Sequence, residues 1–566
     1  MNEVKEEVHD IAVQRHPVFK PKMVPCEANC PAGHAIQKTI SLIKEDRYEG
    51  ALENVRAENP FPGVCGRVCF HPCEEHCNRN EYDEGLAINA LERAVFEYGK
   101  TTTIEKPVKR EKTGKKVTII GSGPAGMTCA YFLAILGHDV TVFEALSVPG
   151  GIPRVAIPEY RLPRDVIDRE INQIIELGID VKTNTEVGKD ISFEDIIRKC
   201  DACFISTGVH RSMKLNIPGE DSKRVISGLE FLKAVTFGKK INLGTKVVVI
   251  GGGNVAVDAA RAAKRLGAEA VHLVCLESRE IMPAYRTEVE GAEKEGIKIL
   301  HQTMPVQIHS KGKRVARLEC REVRGGKRDK IGWIEWPQAI EGTNFTVDAD
   351  TVIVAIGAAL EVPFLPHTIE MKGRLIKVDY IGRTSVTGIY AGGDATMPAG
   401  SVVEAIGSGK RAALGIDIFL RRNDEKQIVR AVQRGENGAV SMGRYLAEDY
   451  TGENDNVVSF TDLNTEYFSK LPRAQVDELP AATRSSNFNE VSLGLSRTNA
   501  VEEAVRCFHC GRCNLCKKCY IACPIEVIKP VSGAGYVAIN INKGYCGSCG
   551  VCVKECPCGV ISWEYV

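Results

Sequence analysis

Two stretches near the C-terminal end of this 566-residue chain constrain its folding more than anything else in it: Cys513-x2-Cys516-x2-Cys519-x3-Cys523-Pro524 and Cys546-x2-Cys549-x2-Cys552-x3-Cys556-Pro557. A thiol at every third residue, then a gap of three closed by Cys-Pro, is the spacing that holds a pair of [4Fe–4S] clusters, the fourth cysteine of each run ligating the other cluster. That crossing assigns Cys513, Cys516, Cys519 and Cys556 to one cluster and Cys546, Cys549, Cys552 and Cys523 to a second. Zinc is the competing reading for isolated CxxC pairs, and two complete repeats argue against it. Cys507 and Cys510 continue the ladder backwards. Only the register ending at Cys523-Pro524 leaves the three-residue gap, so they fall outside the first cluster; extra metal ligands and plain structural cysteines are both open readings for them.

The other cysteines are distributed just as unevenly. Of 22, six lie between Cys26 and Cys77, six between Cys507 and Cys523, and five between Cys546 and Cys558. Only Cys129, Cys200, Cys203, Cys275 and Cys320 fall in the long centre. Met1–Asp10 is charged, which is not how a secretory signal begins, and no apolar run approaches the ~20 residues of a membrane helix. The expected compartment is therefore the reducing cytoplasm, where clustered cysteines read as metal ligands rather than disulfides. Lys plus Arg and Asp plus Glu both total 73, leaving no global basic field to draw nucleic acid.

The cysteine-poor centre carries a different signal. From Val117 the pattern runs VTII, GSGPAG, MTCAYFLAILG, DVTVFE, and from Lys246 it recurs as KVVVI, GGGNVA, VDAARAAKRLGA, AVHLVCLE. Buried strands alternating with amphipathic helices imply parallel sheets covered by helices. In the first unit Gly121, Gly123 and Gly126, with Pro124 and Ala125 between them, permit a tight turn and close approach of a pyrophosphate to a helix N-terminus. Glu144 ends the second strand, where a carboxylate accepts ribose hydroxyls. Gly251, Gly253, Asn254, Val255 and Glu277 repeat the device. Two such units predict one FAD and one NAD(P) site. The late Gly392-Gly393-Asp394 fixes the order, because in flavoproteins with two dinucleotides it brings an aspartate to the flavin's ribityl chain.

Residues 117–420 resemble the flavin subunit of NADPH-dependent glutamate synthase and its relatives, including the N-terminal half of dihydropyrimidine dehydrogenase. The resemblance rests on Pro149-Gly150-Gly151, IPEYRLP at 157–163, STG at 206–208, IPGED at 217–221, GGGNVAVDAAR at 251–261, MPA at 282–284 and AGGDA at 391–395. It implies that Gly151, Arg161, Gly393 and Asp394 also serve the cofactors. At the N-terminus, Cys26-x3-Cys30-Pro31 and Cys65-x3-Cys69-x3-Cys73-x3-Cys77 resemble the family's helical cluster-binding domain. Matched residue by residue, Cys30, Cys69, Cys73 and Glu92 would hold the cluster nearer the flavin, with an ordinary helix-surface glutamate as the other reading of Glu92. Cys26 and Cys77 match ligands of an outer cluster, but the family's two further cysteines just before Cys26 are missing. Cys65 is a candidate replacement for one of them. Cys507 and Cys510 resemble a recurring RCxxCG element.

The expected architecture is α/β, with an NAD(P) domain (241–350) inserted in an FAD domain (117–240 and 351–420). A helical iron–sulfur domain (1–100), a basic linker (101–116), a surface-wrapping connector (421–504) and an α+β ferredoxin-like domain (505–566) complete it. The linker's basic run is alternatively a dock for an acidic partner. NADPH-using relatives tend to place arginines after the second strand, as a fork for the 2′-phosphate. This chain has Glu277-Ser278-Arg279, and Glu277 favours NAD(H), while Arg279 and Ala256 pull towards NADP(H).

The resemblance implies an NAD(P)H-dependent FAD/iron–sulfur oxidoreductase with at least three [4Fe–4S] clusters. No amidotransferase or substrate barrel fits in the length, so electrons would pass to or from ferredoxin or another iron–sulfur or flavoprotein subunit of a larger complex, with a bifurcating complex as one option. Two alternatives remain: a disulfide reductase using Cys200 and Cys203, and a zinc-stabilised scaffold without catalysis.

Overall fold

The computed structural model describes residues 15–99, 107–311, 314–325, 337–397, 400–422, 433–434, 439–442, 456–533 and 536–565. After a short strand, β1 (Arg15–Phe19), come six helices: α1 (Pro25–Ala28), α2 (Ile36–Lys44), α3 (Tyr48–Arg56), α4 (Pro62–Val68), α5 (Pro72–Glu75) and α6 (Ile88–Tyr98). α1, α4 and α5 begin on proline, whose fixed φ suits a first helical position where the missing N–H has no partner to lose. Each of these three carries a cysteine within about a turn of its start, so the prolines set where Cys26, Cys65 and Cys73 stand. Ile36, Ile40 and Ile43 of α2, Leu52 and Val55 of α3, and Leu91 and Val95 of α6 are buried against one another.

The next segment contains β2 (Lys116–Ile120), α7 (Pro124–Ile135), β3 (Asp139–Phe143), β4 (Asp180–Lys182) and β5 (Ala202–Ile205). Then follow β6 (Val225–Ser227), β7 (Lys246–Ile250), α8 (Asn254–Arg265), β8 (Ala270–Val274), β9 (Lys298–Leu300), β10 (Thr351–Val354), β11 (Ile389–Ala391) and α9 (Val402–Arg421). They build two five-stranded parallel sheets, ordered β11-β5-β2-β3-β4 and β9-β8-β7-β10-β6. The second unit is therefore inserted in the first. Its bounds are wider than the expected 241–350, because β6 and β10 pair with its sheet rather than the first. Val352 and Ile353 of β10 have no exposed surface, and that burial comes from lying beside β7.

α7 is apolar on every side because it is enclosed: α9 packs along it and the first sheet lies behind. The basic stretch expected as a linker falls partly outside the described residues (101–106). Its remainder is tied to the C-terminal end of α7, with the Arg110 N–H donating to Ile135 O (2.8 Å) and the Thr113 N–H to Gly137 O (2.9 Å).

Of the connector, residues 421–422, 433–434, 439–442 and 456–504 are described, and 456–496 carry short helical turns and brief strands. α10 (Arg497–Val505) then packs on α2 and α6. The hairpin β12 (Ile528–Gly533) and β13 (Tyr536–Ile541) belongs to the C-terminal unit, whose last strand, β14 (Ile561–Tyr565), pairs antiparallel with β1. Among the described residues no helix is long and apolar enough to cross a membrane.

Candidate functional site

In the first glycine loop, each glycine answers a separate steric demand. Gly121 has φ 97°, and a side chain there would strike the Ser206 backbone; one on Gly126 would strike the Gly121 carbonyl oxygen. A Cβ on Gly123 would meet nothing nearer than Gly151 Cα at 4.0 Å, so the loop opens at the N-terminus of α7, where Pro124 and Ala125 follow. That open cradle fits a pyrophosphate. Gly151, at φ 59°, approaches Gly123 so closely that a Cβ on it would lie 2.7 Å from Gly123 Cα. The Glu144 carboxylate stands beneath the loop and accepts from the Ser122 N–H (3.0 Å) and the Leu146 N–H (2.8 Å). Gly393 is left-handed and donates to Ser408 Oγ (3.0 Å). Burial pushes Asp394 up to about 6 although the Gly400 N–H donates to it.

The second loop repeats this geometry at α8. Gly251 has φ 140° against the Ala355 carbonyl, and around Gly253 there is open space. Asn254 Oδ1 accepts the Tyr285 N–H (3.0 Å), tying the helix start to the MPA segment, and Val255 is solvent-exposed. The Glu277 carboxylate is buried directly under the loop, 2.5 Å from where a Cβ on Gly252 would stand. Arg279 is turned away into a two-pronged ion pair with Glu293 (2.5 and 2.7 Å). Arg161, expected to serve a cofactor, is instead buried between Asp258 (2.7 Å) and Glu288 (3.0 Å), where it joins the IPEYRLP segment to α8.

The cysteines separate into groups. One cavity is lined by Cys30, Cys65, Cys69, Cys73 and Glu92, together with His34, Asn59 and Val403. Burial raises Glu92 to about 8, against the opposing bond from the Asn59 amide (3.1 Å). Cys65 thus joins the inner group and not the outer one that it was expected to complete. Cys65 in α4 and Cys69 at its C-terminal end lie four residues apart, one turn, and therefore on one face. Val403 belongs to the first turn of α9, which follows Asp394, and α9 comes so close to the loop after Cys30 that a Cβ on Gly407 would strike Pro31 O. Phe70 stacks on Tyr285 (6.2 Å), bringing the same cysteine loop against the second nucleotide unit. Cys26 and Cys77 lie outside this cavity, beside Cys507 and Cys510.

In the C-terminal unit a second cavity is lined by Cys513, Cys516, Cys519 and Cys556, with Cys558 as a fifth cysteine beside them, and is walled by Leu515, Ile528, Ile539 and Val560. Cys552 lies in the field of Cys546, Cys549 and Cys523, which, after burial, raise its thiol to about 11. These are the two crossed sets that the spacing implies. Cys200 closes the helix Phe193–Lys199 and Cys203 is fully buried within β5; burial raises both thiols, so neither presents a thiolate to a substrate.

Comparison with known proteins follows the same division. The family described as pyridine nucleotide-disulphide oxidoreductase matches residues 85–198 and 115–409. The chain belongs to that family. Dihydropyrimidine dehydrogenase domain II, 4Fe-4S cluster, matches residues 8–104. The chain is 38% identical over 523 residues to the NADP(+)-dependent formate dehydrogenase subunit beta of Moorella thermoacetica, covering 87% of this chain and 71% of that one. With the NADPH-Fe(3+) oxidoreductase subunit beta of Geobacter sulfurreducens it shares 36%, over 86% of this chain and 75% of the relative. It is 33% identical to the NADPH glutamate synthase small chain of Escherichia coli, over 69% and 87%. It is thus an NAD(P)H-dependent oxidoreductase combining the family's FAD-type domain with a 4Fe-4S domain. The relatives' names carry NADP(+) or NADPH, and lend no support to a preference for NAD(H).

Sequence reasoning missed the Glu293 partner that withdraws Arg279, and the crowding of five potential ligands around the inner cavity. The i, i+4 spacing of Cys65 and Cys69 was the available signal for the second.

Proposed function

We propose that this chain is the nucleotide-handling subunit of an electron-transfer complex, exchanging electrons between NAD(H) and the iron–sulfur centres of a partner enzyme or ferredoxin. FAD, when bound, exchanges an electron pair as hydride with a nicotinamide and single electrons with clusters. The protein's own task is positioning. Gly121, Gly123 and Gly126 leave room for one pyrophosphate at the α7 N-terminus, and Gly251 and Gly253 do so for another at α8. The observation that carries the reading is the position of Val403: it walls the cysteine cavity and begins the helix that follows Gly393-Asp394, so a cluster and a flavin held there would be near neighbours. The subunit status of the first two relatives supports a terminal reaction on another chain.

The choice of NAD(H) rests on Glu277, which would meet a 2′-phosphate with like charge, and on the engagement of Arg279 by Glu293. Anaerobic purification with flavin, iron, sulfide and zinc analysis, followed by titration with NADH, tests the proposal. FAD absorbance should bleach while reduced-cluster EPR signals grow. Stoichiometric zinc with little iron, or flavin reduction that never reaches a cluster, would sink it.

A further inference from the structure

The two cysteines with no assigned role, Cys507 and Cys510, are braced against the two with an incomplete set, Cys26 and Cys77. Glu27, beside Cys26, is buried and holds Arg512 (2.9 Å) and the Gln37 N–H (3.0 Å). The Gln37 side-chain amide in turn donates to Cys510 O (2.7 Å). On the other side, Arg79, two residues after Cys77, donates to Arg506 O (2.6 Å) and lies over the Phe508 ring at 4.7 Å. Asp83 joins the guanidinium groups of Arg79 and Arg506. Cys26, Cys507 and Cys510 are buried, Cys77 is half-buried, and each lies in the electrostatic field of others in the group: Cys77, Cys507 and Cys510 act on Cys26, and Cys77 acts on Cys507 and Cys510.

Backbone handedness supplies an independent observation. In Cys513-Asn514-Leu515-Cys516-Lys517 the residues before and after the second cysteine are left-handed, Leu515 at φ 56° and Lys517 at 62°. In Cys546-Gly547-Ser548-Cys549-Gly550 the same two positions have φ 53° and 75°. Cys507-Phe508-His509-Cys510-Gly511 repeats them again, His509 at 52° and Gly511 at 74°. A left-handed non-glycine residue is strained and persists where its surroundings demand it, as at ligand clamps. Here the turn aims the His509 N–H at Cys507 Sγ (3.5 Å), as the left-handed His71 aims its N–H at Cys69 Sγ (3.3 Å) in the inner cavity. Such N–H···S bonds tune iron–sulfur clusters.

We propose that Cys26, Cys77, Cys507 and Cys510 together hold a fourth [4Fe–4S] cluster, its ligands drawn from the two opposite ends of the chain. The site lies between the others. α1, which carries Cys26, packs on α5, which carries Cys73 of the inner cavity, while the Gly511 N–H donates to Cys558 O (2.7 Å), two residues from Cys556 of the C-terminal unit. Single electrons crossing between the C-terminal pair and the inner cluster would pass through it, a role that rests on the electron-transfer reading above.

Iron counting tests the ligand set without reference to activity. The anaerobically purified full chain should carry about 16 iron and 16 sulfide per FAD, four cubanes of four. Cys507→Ser/Cys510→Ser should fall to about 12 with FAD retained, and should lose one EPR signal, the same one that Cys26→Ser loses. About 12 iron in the native chain, a stoichiometric zinc beside three clusters, or a double variant that keeps all four would overturn the proposal. Should the variants lose FAD as well, the native iron count alone decides. A chain with four clusters that NADH fails to reduce would refute the functional reading and leave this site standing.

Discussion

Under the proposed preference for NAD(H), replacing Glu277 should reverse the choice of nucleotide. Its carboxylate lies 2.5 Å from the position of a Cβ on Gly252, under the loop where the adenosine ribose of a bound nucleotide would rest. A 2′-phosphate carries about −1.5 to −2 charge at neutral pH. At a separation of roughly 6 Å and an effective dielectric of about 20 to 40, its repulsion by one carboxylate is about 2–5.5 kcal/mol. That corresponds to a discrimination against NADPH of about 30-fold or more in kcat/KM. Arg279 does not offset it while Glu293 holds both prongs of its guanidinium. Glu277→Gln should therefore recover most of the lost NADPH activity, Glu277→Arg should favour NADPH outright, and Glu293→Gln should add to Glu277→Gln by releasing Arg279. Stopped-flow bleaching of the FAD absorbance under anaerobic conditions, with each nucleotide in turn, reads these ratios directly. Equal or better kcat/KM for NADPH in the native protein would refute the reasoning, because it would mean that the carboxylate never faces the phosphate.

Three further outcomes are expected. Cys200→Ser/Cys203→Ser should leave NADH-dependent dye reduction within about twofold of native, since both thiols are structural; complete loss of flavin reoxidation with cofactors still bound would restore the disulfide-reductase reading. Glu92→Gln and Cys65→Ser separate the ligands of the inner cavity: an altered inner-cluster EPR signal in the first and not the second would assign Glu92, and the opposite pattern Cys65. Glu58 accepts bonds from the buried Lys410 ammonium (2.6 Å), Ser441 Oγ (2.6 Å) and the Met442 N–H (2.9 Å). Glu58→Gln removes the carboxylate charge opposite that ammonium, leaving Ala32 O among its acceptors, and should cost about 3–5 kcal/mol, read as a lowered unfolding midpoint; an unchanged midpoint would refute the pairing's contribution.

Much of this site was legible because its chemistry is written in short spacings. The glycine loops and the crossed ladders 513–523 and 546–556 place their groups through a single turn or a single repeat, and periodicity read from sequence reaches that far. Contacts between distant segments were not legible. Nothing in the spacing of Cys26 or Cys77 announces a partner more than 400 residues away, and the pairing of Arg161 with Asp258 depends on how two units dock. The domain limits failed for a related reason. β10, Thr-Val-Ile-Val, is buried throughout, like any strand covered on both faces, so its composition does not tell which of two similar sheets it will join.

The pairing of β1 with β14 sets an order of events for the newly made chain. Arg15–Phe19 is synthesised before its partner Ile561–Tyr565, which is added about half a minute to two minutes later at common rates of synthesis of ~5–20 residues per second. Through that interval the edge of β1 and the thiols of Cys26 and Cys77 wait without their final neighbours. The inner cavity draws its five candidate ligands from residues 30–92 and needs no such delay. With the clusters proposed above, the inner cavity can be loaded before the site that needs Cys507 and Cys510, and a chain lacking Ile561–Tyr565 leaves β1 without its partner strand.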